Sequence, residues 1–103
     1  MTQLDSVMAK VRAENRAALI AYIPAGFPSK SGCAKVIHAL ADAGVDAIEI
    51  GFPYSDPVMD GPIIQEAADI SLKGGTNAAD VFAALKVASS TGVAAVVMTY
   101  WNP

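Results

Sequence analysis

Three short apolar runs, separated by segments of helical periodicity, constrain the fold of this chain more than any other feature. The runs cover residues 19–23, 46–50 and 93–99, and the first two lead into loops punctuated by glycine and proline. Between them, apolar residues recur three and four positions apart, which is the spacing of an amphipathic helix. Strands that alternate with helices imply right-handed crossovers and a parallel sheet.

Local signals predict where the helices begin and end. Gly44 and Gly92 stand where helices end, Pro62 suits the first position of a helix, and Asn77 with Asp80 resembles an N-cap and its acidic first turn. An N-terminal helix is indicated by an apolar stripe at Leu4, Val7, Met8 and Val11. The predicted order is helix, then strand–helix–strand–helix–helix–strand, with no internal linker and no second domain.

Composition excludes several classes of function. The net charge is −3 and no basic cluster is present, so nucleic acids and anionic membrane surfaces are poor partners. Cys33 is the single cysteine, which leaves no internal disulfide and no zinc spacing, and it falls on an apolar stripe. The apolar runs are too short to span a bilayer, and the polar start does not resemble a signal peptide. We therefore predict a cytoplasmic protein without a metal.

The second apolar run carries an acid on one of its two faces. Ile48 and Ile50 share one face, whereas Ala47, Glu49 and Gly51 share the other. A carboxylate in a buried strand is costly unless it performs chemistry or finds a partner. Large residues toward the helices and small ones around an acid suit the interior of an α/β barrel with a ligand at its mouth.

A second acid, Asp60, follows Glu49 eleven positions later in the loop after the strand. Active sites of α/β folds collect at the carboxyl ends of the strands, so the two acids form a candidate general acid/base pair. Turn formation is the alternative reading, because Asp56 precedes Pro57 and Asp60 precedes Gly61.

The chain is short for the fold that this pattern indicates. A closed eight-stranded α/β barrel takes about 250 residues, and 103 residues supply three strands. We therefore predict that residues 1–103 are one partial domain, the N-terminal part of a TIM (β/α)8 barrel with three parallel strands. If they form the whole polypeptide, we expect association, swapping or partial disorder, because both sheet edges are free.

Three segments of the chain resemble the alpha subunit of tryptophan synthase. The most specific is IEIGFPYSDP at 48–57, which continues to DGPIIQ at 60–65. YIPAGFP at 22–28 is similar to the loop after the first strand of that family, and VMTYWNP at 97–103 to the end of its third strand. Pro24 and Phe27 depart from the Thr and Asp that many members carry.

The resemblance implies a cofactor-independent lyase. The family cleaves indole-3-glycerol phosphate by a retro-aldol step and passes indole to a pyridoxal-phosphate-dependent beta subunit in an alpha2beta2 complex. Glu49 is implied as the acid/base that protonates the indole ring carbon, and Asp60 as the acceptor of the indole N–H. Residues implied to line the substrate pocket are Tyr22, Ile64, Met98 and Tyr100. Residues implied to meet the beta subunit are Pro53, Asp56 and Pro57.

The same resemblance places the phosphate-binding loops and the mobile lid of the family after Pro103. Gly74 and Gly75 are interpreted as a helix stop rather than a phosphate cradle. The 103-residue chain alone is therefore expected to be inactive, and the alternative function is a fragment that retains a beta-subunit docking surface. Another phosphate-binding α/β barrel enzyme is a third hypothesis, against which the two-acid loop argues. His38, on a helix without a catalytic partner motif, is predicted at the surface.

Overall fold

A computed structural model describes residues 2–54 and 60–99 of the chain. The elements within these ranges, in chain order, are α1 (Gln3–Ala13), β1 (Ile20–Pro24), α2 (Lys30–Ala43), β2 (Ala47–Gly51), α3 (Pro62–Lys73), α4 (Ala78–Ser90) and β3 (Ala94–Met98). The predicted order of helices and strands is confirmed.

The three strands form a parallel sheet in the order β1-β2-β3. Each row of the sheet has one residue from every strand: Tyr22 pairs with Glu49, and Glu49 pairs with Val96. Because β2 lies in the centre, its backbone is hydrogen-bonded on both sides. The parallel sheet predicted from the alternation of strands and helices is confirmed.

The predicted starts of the first two strands are wrong by one residue. Leu19 and Asp46 lie just before β1 and β2, where the Leu19 amide donates to the Asp46 carboxylate at 2.8 Å. The Asp46 amide in turn donates to the Leu19 carbonyl at 2.9 Å. The third strand was also predicted too long, since Val93 and Thr99 lie outside it. The Val93 amide donates to the Thr91 hydroxyl two residues earlier, and the Thr99 hydroxyl is hydrogen-bonded to the Tyr54 hydroxyl.

The hydrophobic core lies between the sheet and helices α2 and α4. Ile48 and Ile50 are fully buried against these helices, together with Ile37 from α2 and Val81 from α4. Glu49 lies on the opposite face of β2, as the alternation predicted. The sheet therefore has one face packed by helices and one inner face that carries the acid.

Helix ends follow the local sequence signals. Asn77 caps α4 through a capping box with Asp80, and Gly44 ends α2 in the left-handed conformation with a φ of 96°. Thr2 and Ser29 likewise cap α1 and α2 with their side chains. Helix α3 differs, because its N-cap is Gly61, which has no side chain to offer.

The amino-terminal edge of the sheet is held by α1 and by one charged cluster. Val11 of α1 is buried, and the Gln3 side chain donates to the Gly92 carbonyl beside the start of β3. Arg16, between α1 and β1, forms two hydrogen bonds of 2.9 Å with the Asp46 carboxylate. These contacts join the starts of all three strands to the N-terminal helix.

Several large apolar side chains remain exposed in this structure. Ile63, near the start of α3, is 82% exposed. The reason is that α3 packs against the β1 side of the sheet and leaves part of its apolar surface uncovered. The other large exposed apolar residues are Leu19, Ile20, Ile70, Phe82 and Met98. Within the two described ranges, no helix is long and apolar enough to cross a membrane.

Candidate active site at the carboxyl ends of the strands

Glu49 occupies the middle of the central strand and points to the inner face of the sheet. It is half-buried, and its neighbours in the same row are Tyr22 of β1 and Val96 of β3. Among residues 2–54 and 60–99, no hydrogen bond or ion pair to the Glu49 carboxylate is found. The acid is thus rigidly placed by the sheet while its oxygens remain available to a ligand.

The ring of Tyr22 lies across the end of β2, just beyond Glu49. A Cβ atom added to Gly51 would lie 2.0 Å from the Tyr22 hydroxyl oxygen and 2.5 Å from the ring carbon that carries it. Only glycine leaves room for this ring position. Met98, the register partner of Gly51, completes the same row on β3. The structure therefore brings Tyr22, Glu49 and Met98 onto neighbouring rows of one face.

Asp60 lies on the connection between β2 and α3, directly before the N-cap Gly61. It is half-buried, and its backbone carbonyl accepts a hydrogen bond of 2.9 Å from the Gln65 side chain of α3. The connection leaves the carboxyl end of β2 two residues after Glu49. Glu49 thus lies in β2, and Asp60 lies in the segment that directly follows this strand.

Ile64 lies on α3 beside the open edge of β1. It lines an apolar groove of about 500 Å³ between α2, α3 and β1, and Tyr22 is part of the same lining. Glu49, Asp60 and Met98 are not among the residues that line this groove. In the described part of the chain, the predicted pocket residues therefore do not enclose a single cavity.

The segment after β2 is attached to β3. The Phe52 amide donates to the Met98 carbonyl at 2.9 Å, and the hydroxyls of Tyr54 and Thr99 are hydrogen-bonded to each other. Phe52 and Tyr54 stack with ring centroids 5.3 Å apart, and Pro53 between them is buried. The predictions for Asp56, Pro57 and Tyr100 lie outside the described residues.

The end of α3 packs closely against the loop after β1, a contact that was not predicted from the sequence. Gly26 has a φ of 79°, and a Cβ atom there would lie 1.9 Å from the Thr76 hydroxyl. The buried Ser71 hydroxyl donates to the Ala25 carbonyl. The Thr76 hydroxyl is buried without a hydrogen-bond partner among residues 2–54 and 60–99. The glycine at position 26 was the only signal of this close approach.

The two departures from the family pattern lie at the end of β1 and in the loop after it, and both side chains are packed against other residues. Pro24 is buried as the last residue of β1, and Phe27 packs against the hydrophobic core. Apolar side chains at these two positions extend the core toward the carboxyl edge of the sheet.

The charged form of Asp46 is strongly stabilised by its hydrogen-bond donors. Hydrogen bonds from Arg16 and from the Leu19 amide lower the pKa of Asp46 from 3.8 to about 2. The hydrogen bonds with Asp46 in turn raise the pKa of Arg16.

Cys33 is buried, as its place on an apolar stripe indicated, and burial raises the pKa of its thiol. His38 is exposed, as predicted. No group of three His, Cys, Asp or Glu side chains within 2–54 and 60–99 could hold a metal ion.

Comparison with known proteins identifies the family to which these features belong. The family model described as tryptophan synthase alpha chain matches residues 8–103. The tryptophan synthase alpha chain of Thermobifida fusca is 52% identical over all 103 residues, which are 38% of its own length. That of Mycobacterium bovis is 48% identical over 99% of this chain, again 38% of the relative.

Solved structures agree with the sequence comparison. The crystal structure of tryptophan synthase from Mycobacterium tuberculosis in its aminoacrylate-bound form superposes with a TM-score of 0.94 at 48% identity, over all of this chain and 42% of that one. The alpha subunit from Legionella pneumophila superposes with a TM-score of 0.92 at 31% identity, over all of this chain and 40% of that one. The chain spans about two fifths of the length of these relatives, and it belongs to the tryptophan synthase alpha chain family, whose N-terminal portion it represents.

Proposed function

We propose that this chain carries the acid/base pair of an indole-3-glycerol phosphate lyase, as the N-terminal portion of a complete alpha subunit. The reaction is a retro-aldol cleavage to indole and glyceraldehyde 3-phosphate in L-tryptophan biosynthesis. The observation that carries the proposal is the position of Glu49 on the inner face of the central strand, without a partner among the described residues. A carboxylate held in this way is available to transfer a proton to a ligand at the strand ends.

Glu49 would deliver a proton to the ring carbon of indole that bears the glycerol chain. Protonation there converts the ring to an indolenine with positive charge at nitrogen. The C–C bond then breaks, its electron pair returns to the ring to restore indole, and the side-chain hydroxyl gives its proton to the Glu49 carboxylate, which the first step left unprotonated, as it becomes the aldehyde. An acid/base group of this kind typically contributes about 10²- to 10⁴-fold in rate.

Asp60 would accept the indole N–H and stabilise the charge that develops at the nitrogen. A fixed anion contributes most where charge appears only in the transition state. Support for this role comes from the Gln65 side-chain amide, which donates a hydrogen bond of 2.9 Å to the backbone carbonyl of Asp60. Tyr22, Ile64, Met98 and Tyr100 would line the pocket around the indole and glycerol parts of the substrate. This subunit would need no cofactor, because the chemistry uses side chains alone.

The partner in this proposal is a tryptophan synthase beta subunit that holds pyridoxal phosphate and receives the indole in an alpha2beta2 complex. The loop that contains Pro53, Asp56 and Pro57 would meet it, with Asp56 and Pro57 as the contacts, because Pro53 is buried within this chain. Support comes from the M. tuberculosis relative, a tryptophan synthase whose structure matches this chain throughout. The alternative is that the 103 residues alone are inactive but keep this docking surface, since they span only 38% of the T. fusca relative.

A composite protein tests the proposed activity. Residues 1–103 are followed by the remaining part of the M. tuberculosis alpha chain, and indole release from indole-3-glycerol phosphate is measured. We expect the composite to cleave the substrate and the isolated 103-residue chain not to. Glu49→Gln and Asp60→Asn should each reduce kcat by roughly 10²-fold or more, while circular dichroism and the melting temperature stay those of the parent.

Asp42→Asn is the matched control, because Asp42 is an exposed acid on α2, remote from the inner face of the sheet. It should leave kcat unchanged. A folded composite that releases no indole contradicts the proposed function. Normal turnover in the Glu49→Gln variant removes Glu49 from the mechanism, and the same outcome for Asp60→Asn removes Asp60.

A further inference from the structure

The two acids are positioned by very different means. Glu49 lies in the central strand, with ladder hydrogen bonds to β1 and β3 on its two sides. Asp60 lies outside any helix or strand, on the connection between β2 and α3. Proton transfer needs both carboxylates within a few tenths of an ångström of the productive geometry. Something other than the sheet must therefore hold the ends of this connection.

At its first end, the connection is held by β3. The Phe52 amide extends the ladder one step past the strand by donating to the Met98 carbonyl at 2.9 Å. Beyond it, the ring of Tyr54 stacks on Phe52 and its hydroxyl bonds to the Thr99 hydroxyl. The backbone up to residue 54 is thus tied to the neighbouring strand by one backbone and one side-chain hydrogen bond.

At its second end, the connection is held by Gln65 of α3. The Gln65 side-chain amide donates to the Asp60 carbonyl at 2.9 Å, and its backbone amide donates to the Gly61 carbonyl at 2.9 Å. The first N–H groups of a helix are the ones that need a cap. A bond to the Asp60 carbonyl satisfies none of them, so helix capping does not account for it. Its effect is to fix the plane of the Asp60–Gly61 peptide.

We propose that Gln65 and the Tyr54–Thr99 hydroxyl pair are positioning residues that anchor the two ends of the β2–α3 connection and so hold Asp60 in its working position relative to Glu49. The inference rests on the proposed function, since it concerns the same acid pair. None of the three side chains needs to touch the substrate for this role.

The composite protein described above tests the inference through kcat and KM. Gln65→Leu, Tyr54→Phe and Thr99→Val each remove one hydrogen-bonding group and retain most of the side-chain volume. Each should lower kcat about three- to tenfold with little change in KM and in melting temperature. Thr99→Ser keeps the hydroxyl and should keep the parental kcat.

Matched controls come from the chain itself. Gln3→Leu removes a glutamine amide that also donates to a backbone carbonyl, but at the amino-terminal edge of the sheet. Thr91→Val removes a hydroxyl that donates to the Ala88 carbonyl at 2.6 Å, again at that edge. Neither should change kcat. A kcat loss in these controls equal to that of Gln65→Leu or Thr99→Val would overturn the inference.

Amide hydrogen exchange in the composite protein gives a readout that does not depend on turnover. Tyr54→Phe and Thr99→Val should speed exchange of the Phe52 amide, and Gln65→Leu should speed exchange of the amide at position 65. Exchange at Ile37 in the core should stay the same. Unchanged exchange at positions 52 and 65 would overturn the inference. If Glu49→Gln and Asp60→Asn impair turnover while the three anchor variants do not, the inference fails and the proposed function stands. If those two variants retain normal turnover, the proposed function fails.

Discussion

Asp46, just before β2, and Glu49, in the middle of it, have opposite surroundings. Asp46, just before the strand, accepts two hydrogen bonds from Arg16 and one from the Leu19 amide. Glu49, three residues later on the inner face, has no such partner among the described residues. At the amino-terminal end, Arg16 neutralises the charge of Asp46, and their hydrogen bonds join the starts of β1 and β2. On the inner face, the Glu49 carboxylate belongs to the candidate site. An α/β barrel is expected to separate stabilising groups from site groups in this way.

Apart from replacement of Glu49 and Asp60 themselves, the largest effect that separates the two ends of the sheet should come from Gly51→Ala. The new methyl group would lie 2.0 Å from the Tyr22 hydroxyl, so the ring must move off the end of β2. In the composite protein we expect kcat/KM to fall on the order of tenfold or more, because displaced pocket groups lose their alignment with the substrate. The melting temperature should change little, since the atom that yields is the end of a side chain.

Adding Tyr22→Phe to Gly51→Ala should restore only part of kcat/KM. Without the hydroxyl, the nearest remaining ring carbon is still 2.5 Å from the new methyl group. A Gly51→Ala variant with parental kcat/KM would contradict any effect of the Tyr22 ring position on the activity of the composite protein.

An intermediate effect, on stability alone, should follow from Asp46→Asn at the amino-terminal end. The pKa of Asp46 is about 2 in the folded chain and 3.8 ordinarily, so its carboxylate stabilises the fold above pH 4. That contribution disappears as the pH falls from about 4 to about 2. The urea midpoint of the parent should therefore exceed that of Asp46→Asn near neutral pH, and the two should converge toward pH 2.

Asp42→Asn serves as the control near neutral pH, because Asp42 is exposed and its replacement should leave the urea midpoint there unchanged. Parallel midpoint curves for the parent and Asp46→Asn across pH 2–5 would contradict the assigned role of the Arg16–Asp46 pair. In the composite protein, Asp46→Asn should leave kcat unaltered, which is the reverse of Glu49→Gln.

The smallest effects should come from the helix caps, and they should be equal at the two ends. Thr2→Ala removes the cap of α1, and Asn77→Ala removes that of α4. Each should lower the free energy of unfolding by about 1 kcal/mol without changing kcat. Chemical denaturation of both variants measures this directly. A clearly larger loss for one of them would mean that its helix end has a role beyond capping.

Features that depend on neighbours in the chain could be predicted from the sequence, whereas features that join distant segments could not. The ends of the helices at Gly44, Pro62 and Asn77 depend on local backbone conformation and local hydrogen bonds, and they were predicted correctly. The starts of β1 and β2 depend on a bond between Leu19 and Asp46, 27 residues apart, and were predicted one residue too early.

The candidate site divides in the same way. The face of β2 that carries Glu49 follows from the alternation of side chains along one strand, so it was predictable. The ring of Tyr22 over Gly51, the support of Gly26 by Thr76 and the anchor of Asp60 by Gln65 were not predicted. The first two depend on tertiary packing, and the third on a side-chain rotamer at the start of α3. Composition and periodicity contain no information about such contacts.

The order β1-β2-β3 also has a consequence for how the sheet forms. Every strand pairs with the strand that precedes it in the chain, so a strand emerging from the ribosome finds its neighbour already synthesised. Loop-closure entropy stays small for each addition, because only α2 separates β1 from β2 and only α3 and α4 separate β2 from β3. A sheet of this order can grow one strand at a time during translation, with β1 and β2 forming the template on which β3 is laid.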